Sequence, residues 1–107
     1  MNTMPPANTH FIDCEIAGYK HRPIDAQAIV KGLEEGEQLF LEREPSNKYD
    51  SFAVKVIAAD PDRTFLGYIP KRYSERVSTA LTNHETVSTF SRGSDKIRVE
   101  LHGHVPG

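Results

Sequence analysis

The chain has 107 residues, 37% hydrophobic and 26% charged, with a formal net charge of −2. That length suits one domain able to bury a core unaided, and the composition is that of an ordinary globular protein. These figures exclude a strongly basic nucleic-acid coat, a membrane span of ~20 apolar residues and, with Cys14 the one cysteine, an intrachain disulfide.

In chain order, residues 1–9 are polar and proline-containing and read as a flexible tail, without the basic and apolar regions of a secretory signal. A cytoplasmic protein is the expectation. FIDCEIAG (11–18) predicts a strand with Ile12, Cys14 and Ile16 on one face, ended by Gly18. PIDAQAIVKGLEEG predicts a short helix or turn with Ile24, Ala28 and Leu33 as its apolar stripe, closed by Gly32. EQLFLERE (37–44) is a second strand, stopped by Pro45, which has no N–H for a ladder. SFAVKVIAA (51–59) is a third, with Phe52, Val54 and Val56 on one face.

DPDR (60–63) carries a type I turn signal, which makes TFLGYIP (64–70) the hairpin partner of the third strand. Gly67 inside it marks a bulge or a close backbone approach. Residues 70–84 predict a helix: Pro70 suits a first turn, and Tyr73, Val77, Ala80 and Leu81 share a face. TVSTFS (86–91) reads as strand or loop. DKIRVELHG (95–103) alternates cleanly, with Ile97, Val99 and Leu101 inward. The expected architecture is mainly β: a small, partly open, OB-like antiparallel barrel of five to six strands with one or two short helices. One domain is expected over 10–103, with 104–107 as a C-terminal tail.

The chemistry expected of this chain is narrow. His102 and His104 form H-x-H, but no zinc spacing accompanies them, so no metal and no cofactor are expected. There is no nucleophile elbow and no glycine-rich phosphate loop, and Cys14 alternates with core isoleucines, so the chain is not expected to be an enzyme. Charge is unevenly spread: residues 1–45 hold eight acidic and four basic side chains, residues 46–107 seven and nine.

The basic half begins at REPSNKYDSFAVKV (43–56), whose loop has no glycine. Two readings stay open for it. Asn47 and Asp50 can do turn chemistry on nearby backbone N–H groups, with Tyr49 covering the core edge. Alternatively, Tyr49 offers a stacking face and Asp50 an acceptor for a hydroxyl, since a carboxylate repels phosphate. Lys20, Arg22, Lys71 and Arg72 would then supply phosphate contacts.

AGYKHR (17–22), LFLEREPSNKYDSFAVKV (39–56) and LGYIPKRYSERV (66–77) together resemble the HIRAN domain, the module of some SNF2-type helicase-like DNA-repair translocases and of short free-standing bacterial proteins. The middle block, of the form REP-x-N-x-YD-x-x-AV-x-V, is the most specific. The resemblance implies a non-catalytic OB-like barrel that captures the 3′ end of single-stranded DNA. It further implies that Tyr49 and Asp50 hold the terminal nucleotide, Asp50 accepting from the 3′ hydroxyl. Lys20 and His21 fall where the family has a basic and an aromatic residue, Tyr68 in the GYIP run, and Lys71 near phosphate. Lys20 and His21 are departures, because lysine lacks the bidentate fork of arginine and histidine stacks less well than tyrosine. Asn47 is expected to shape the loop. Single-stranded DNA ends, with a helicase or nuclease beside the domain, are the implied partners; a peptide segment in the same groove is the alternative. The location would be nucleoid-associated in a bacterium, or nuclear in a fragment of a eukaryotic translocase.

Overall fold

The computed structural model describes residues 9–59 and 62–103. Six strands and two helices follow one another: β1 (Thr9–Glu15), α1 (Ile24–Lys31), β2 (Gln38–Arg43), β3 (Val54–Ala58), β4 (Phe65–Tyr68), α2 (Lys71–Thr82), β5 (Thr86–Ser91) and β6 (Lys96–His102). A single 3-10 turn at Tyr19–His21 separates β1 from α1, entered through Gly18 at φ 75°, the left-handed region that glycine tolerates. Asp60 and Pro61 of the expected turn, His104, and the tail residues 1–8 and 104–107 lie outside the described residues. Thr9 is already part of β1.

The strands form one antiparallel sheet in the order β1-β6-β5-β2-β3-β4. The sheet curls until its two edges touch. Just past β1, Ala17 donates to the Tyr68 carbonyl at 2.8 Å and accepts from the Tyr68 N–H at 2.9 Å. One bridge thus joins the edges of an otherwise open half-barrel, the expected fold class. The ambiguous 86–91 segment is β5, and it lies between β6 and β2.

Alternation along the strands sends one set of side chains into the barrel. Cys14 and Ile16, Val54, Val56 and Ala58, and Ile97, Val99 and Leu101 are all buried. From α2, Val77 and Ala80 close the core, with Tyr73 and Leu81 packed partly buried against it.

Two expectations need correction. The buried stripe of α1 is Ala26 and Val30, continued by Leu33; Ala28 is exposed and Ile24 is 84% exposed. Both stripes are apolar, and docking beside β4 selected the one at 26/30/33. The third strand starts at Val54, and Phe52 is 41% exposed rather than inward. Asp50 holds the preceding residues in a turn: its Oδ1 accepts from the Phe52 N–H at 2.9 Å and its carbonyl from the Ala53 N–H at 3.0 Å. In β4 the irregularity falls at Leu66 and the close approach at Gly67. Register jumps between Val56↔Gly67 and Ile57↔Phe65, so Leu66 has no opposite residue.

Candidate nucleic-acid interface

The loop of residues 44–53 is closed at its base by the Glu44 N–H, which donates to the Ala53 carbonyl at 2.8 Å. Within it, Asn47 Oδ1 accepts from the N–H groups of Tyr49 at 2.9 Å and Asp50 at 3.0 Å. This is side-chain turn chemistry, and it explains how the loop bends without glycine. Asp50 is engaged on both oxygens, since Oδ2 also accepts from the Ser74 hydroxyl at 2.7 Å. Ser74 stands in the first turn of α2, so the carboxylate sits near the positive end of that helix. Ser74 and Ser78 were not expected on the buried face of α2. Both are satisfied there, Ser78 by the Arg43 Nε–H at 3.2 Å.

The turn also builds one side of a cavity of about 300 Å³, lined by Ala17, Asn47, Tyr49, Asp50, Ala53, Tyr68, Ile69 and Lys71. The barrel bridge supplies Ala17 and Tyr68, and the start of α2 supplies Lys71. Tyr49 is 88% exposed at the rim. The mixture is a small apolar floor, an exposed aromatic ring, one carboxylate and one ammonium. It can hold a flat group against Tyr49, accept from a hydroxyl at Asp50 and meet an anion at Lys71.

Of the six site residues expected from the sequence, Tyr49, Asp50, Tyr68 and Lys71 come together here. Lys20 and His21 do not line the cavity; they are exposed on the 3-10 turn, three and four residues beyond its Ala17 wall. Two of the suggested phosphate contacts have structural duties instead. Arg22 lies 4.0 Å over the Phe65 ring and donates to the Phe65 carbonyl at 3.2 Å. Arg72 grips both oxygens of Glu15 at 2.9 Å.

The Tyr68 hydroxyl is likewise committed. It donates to Glu44 Oε1 at 2.8 Å, and the Asn47 amide donates to the same oxygen at 2.8 Å. These two donors, then Lys55, hold the Glu44 carboxyl below its ordinary range. Burial first, and the Glu44 carboxylate next, push the Tyr68 phenol above its ordinary value. Sequence reading missed Glu44, although the E of REP followed three residues later by Asn was the available signal.

A larger hollow of about 410 Å³ lies along β1 and β6. Its charges are mostly paired, Arg98 with Asp13 at 2.7 Å within the lining and Arg92 with Glu35 beyond it at 3.4 Å. Cys14 borders it, but burial pushes the thiol up to about 11, so it is no thiolate nucleophile at neutral pH. Among the described residues no group of three His, Cys, Asp or Glu side chains is placed to hold a metal ion. No helix there is long and apolar enough to cross a membrane.

Comparison with known proteins decides the family. The HIRAN domain profile matches residues 10–104. The chain belongs to the HIRAN domain family. HIRAN is a binding domain whose members bind DNA, which supports nucleic-acid binding in general for this one. The fold agrees: a crystal structure of a Lactobacillus plantarum protein superposes with a TM-score of 0.64 at 19% identity, covering 88% of this chain and 95% of that one. The HIRAN domain of human HLTF superposes with a TM-score of 0.64 at 14% identity, covering 85% of this chain and 72% of that one. A Fanconi-associated nuclease 1 homolog of Arabidopsis thaliana is 39% identical over 56 residues. The matched stretch spans 52% of this chain and 6% of that relative.

Proposed function

We propose that this HIRAN domain captures the 3′-terminal nucleotide of single-stranded DNA in the cavity between loop 44–53, β4 and α2. The observation that carries the reading is the convergence of Tyr49, Asp50 and Lys71 on one 300 Å³ space whose floor is apolar. The terminal base stacks on Tyr49. The 3′ hydroxyl donates to a remaining lone pair of Asp50, whose orientation the Phe52 N–H and the Ser74 hydroxyl have already set. Lys71 meets the adjoining phosphate, and Lys20, exposed beyond Ala17, is a further phosphate contact on the strand's way out. His21 beside it stacks weakly on the penultimate base. The domain works as a reader of ends for a nuclease or helicase-like enzyme, in the same chain or beside it, and DNA repair is the process such a pairing serves.

The test is a titration with a short single-stranded oligonucleotide bearing either a 3′ hydroxyl or a 3′ phosphate. Tyr49→Ala is expected to cost ~1–3 kcal/mol on either strand, the range for loss of a stacked base. Asp50→Asn keeps an oxygen for the Phe52 N–H and removes the charge. It is expected to weaken the hydroxyl strand by about 1.5–3 kcal/mol, as for a hydrogen bond to a charged group. On the phosphate strand it should be neutral or favourable, because the wild-type carboxylate repels that end. If Asp50→Asn affects both strands alike, the carboxylate is only a turn former and the end-reading role is wrong. Salt-insensitive binding of a peptide, with none of DNA, would assign the groove to protein recognition instead.

A further inference from the structure

Glu44 does not line the cavity, yet it fixes two residues that do. Its Oε1 receives both the Tyr68 hydroxyl and the Asn47 side-chain amide, each at 2.8 Å. Its backbone carbonyl accepts from the Asn47 N–H at 3.0 Å. The amide bond leaves Asn47 one usable orientation. Were it flipped, its NH₂ would face the Tyr49 and Asp50 N–H groups, donor against donor, and Oδ1 would face a carboxylate. Glu44 therefore determines, through Asn47, where the Tyr49–Asp50 segment lies. Through Tyr68 it also ties that loop to β4, the opposite wall.

We propose that Glu44 is a positioning residue that locks the two walls of the cavity at binding distance before any ligand arrives. The inference rests on the end-binding reading only for its consequence on affinity. The other charges around the lock are Lys55 on β3, whose Nζ lies 3.6 Å from Glu44 Oε2 and 3.8 Å from Glu42 on β2, and Arg22, which acts on Tyr68 from just past the 3-10 turn. After the Asn47 and Tyr68 donors, Lys55 adds to the lowering of the Glu44 carboxyl; it cannot replace the carboxylate, because it is itself a donor. A ligand meeting a preorganised loop does not spend binding free energy on ordering it.

The test uses Glu44→Ala and Tyr68→Phe, the latter removing one hydroxyl while leaving the ring as a wall. Three quantities are read: amide hydrogen exchange at Tyr49 and Asp50 without ligand, the absorbance titration of the tyrosine phenols, and affinity for a 3′-hydroxyl oligonucleotide. Glu44→Ala should speed exchange at those two amides and weaken the oligonucleotide, each by roughly tenfold, the scale of one charge-assisted hydrogen bond. It should also bring the Tyr68 phenol down toward an ordinary tyrosine. Tyr68→Phe should speed the same exchange by a smaller factor, and it carries the test should Glu44→Ala fail to fold. Unchanged exchange at Tyr49 and Asp50 in a folded variant overturns the lock. Faster exchange in a protein whose wild type ignores the oligonucleotide upholds the lock and refutes the end-binding reading, so the two failures are distinct.

Discussion

Gly67→Ala adds one carbon at the point where the barrel closes. A Cβ there would lie 2.5 Å from the Ala17 carbonyl oxygen and 2.7 Å from Ile16 Cγ2. Neither neighbour can yield cheaply: Ile16 is 1% exposed, and the Ala17 oxygen is the acceptor in the bridge to Tyr68. Restoring ordinary contact requires the segments to part by about 1 Å, which stretches both bridge hydrogen bonds beyond useful length. Two net hydrogen bonds at about 0.5–1.5 kcal/mol each, together with overpacking of about 1–3 kcal/mol, give a loss of roughly 2–6 kcal/mol. The restriction of the unfolded chain by alanine returns about 0.4–1 kcal/mol, so the expected net loss is about 2–5 kcal/mol. Against a typical domain stability of about 5–15 kcal/mol, the variant should fold but melt early. Urea unfolding followed by far-ultraviolet circular dichroism measures the loss, and amide exchange at Ala17 and Tyr68 reports the bridge itself. Because both residues line the cavity, oligonucleotide affinity should fall further than stability alone explains. A midpoint within about 0.5 kcal/mol of wild type, the range of a bland surface change, with both amides still protected, would refute the closure argument.

Other outcomes follow from the same structure. Ile24→Lys should be nearly neutral in urea unfolding, because the side chain is exposed. Val30→Ala should cost about 2–3 kcal/mol, from two lost methyl groups and the cavity left behind; a larger loss at Ile24 than at Val30 would mean that α1 docks by its other stripe. Salt dependence of oligonucleotide binding should be shallow, with a log–log slope of roughly −1.5 to −2 for two or three neutralised phosphates. A slope steeper than about −3 would reveal a longer basic track. Asp13, Glu15 and Glu44 all titrate below their ordinary range, held down first by Arg98, Arg72 and Asn47 respectively. Their stabilisation is therefore complete above the unfolded carboxylate range, about pH 4, and is lost as pH falls through the lower folded values. The urea midpoint should drop between pH 5 and pH 3, and an unchanged midpoint at pH 3 would remove these pairs from the account. Tight chelators should leave the melting temperature unmoved, since no described cluster is placed to hold a metal.

Alternation by itself determined β1, β6 and the barrel-facing half of β3, because a period of two along Cys14–Ile16, Ile97–Val99–Leu101 and Val54–Val56 leaves one face to bury. The REPSNKYD run left turn chemistry and a binding site both open, and the folded loop shows the turn chemistry, with Asn47 and Asp50 accepting from its backbone N–H groups. Elsewhere the sequence carried two equal answers. α1 has apolar residues on two faces, and only contact with the rest of the fold could choose Ala26 and Val30 over Ile24 and Ala28. Phe52 fits a strand pattern, but the local bonds of Asp50 hold its N–H in a turn and turn the ring toward solvent. Arg22 and Arg72 look like phosphate ligands in sequence. Whether a cation is free depends on which carboxylate or ring stands beside it, and Glu15 and Phe65 are 57 and 43 residues away in the chain. The same holds for the cavity: Ala17, Asn47 and Tyr68 meet only because Gly67 lets the two sheet edges touch. Local pattern acts over a few residues, whereas the cavity is built from segments whose proximity the closed sheet alone creates.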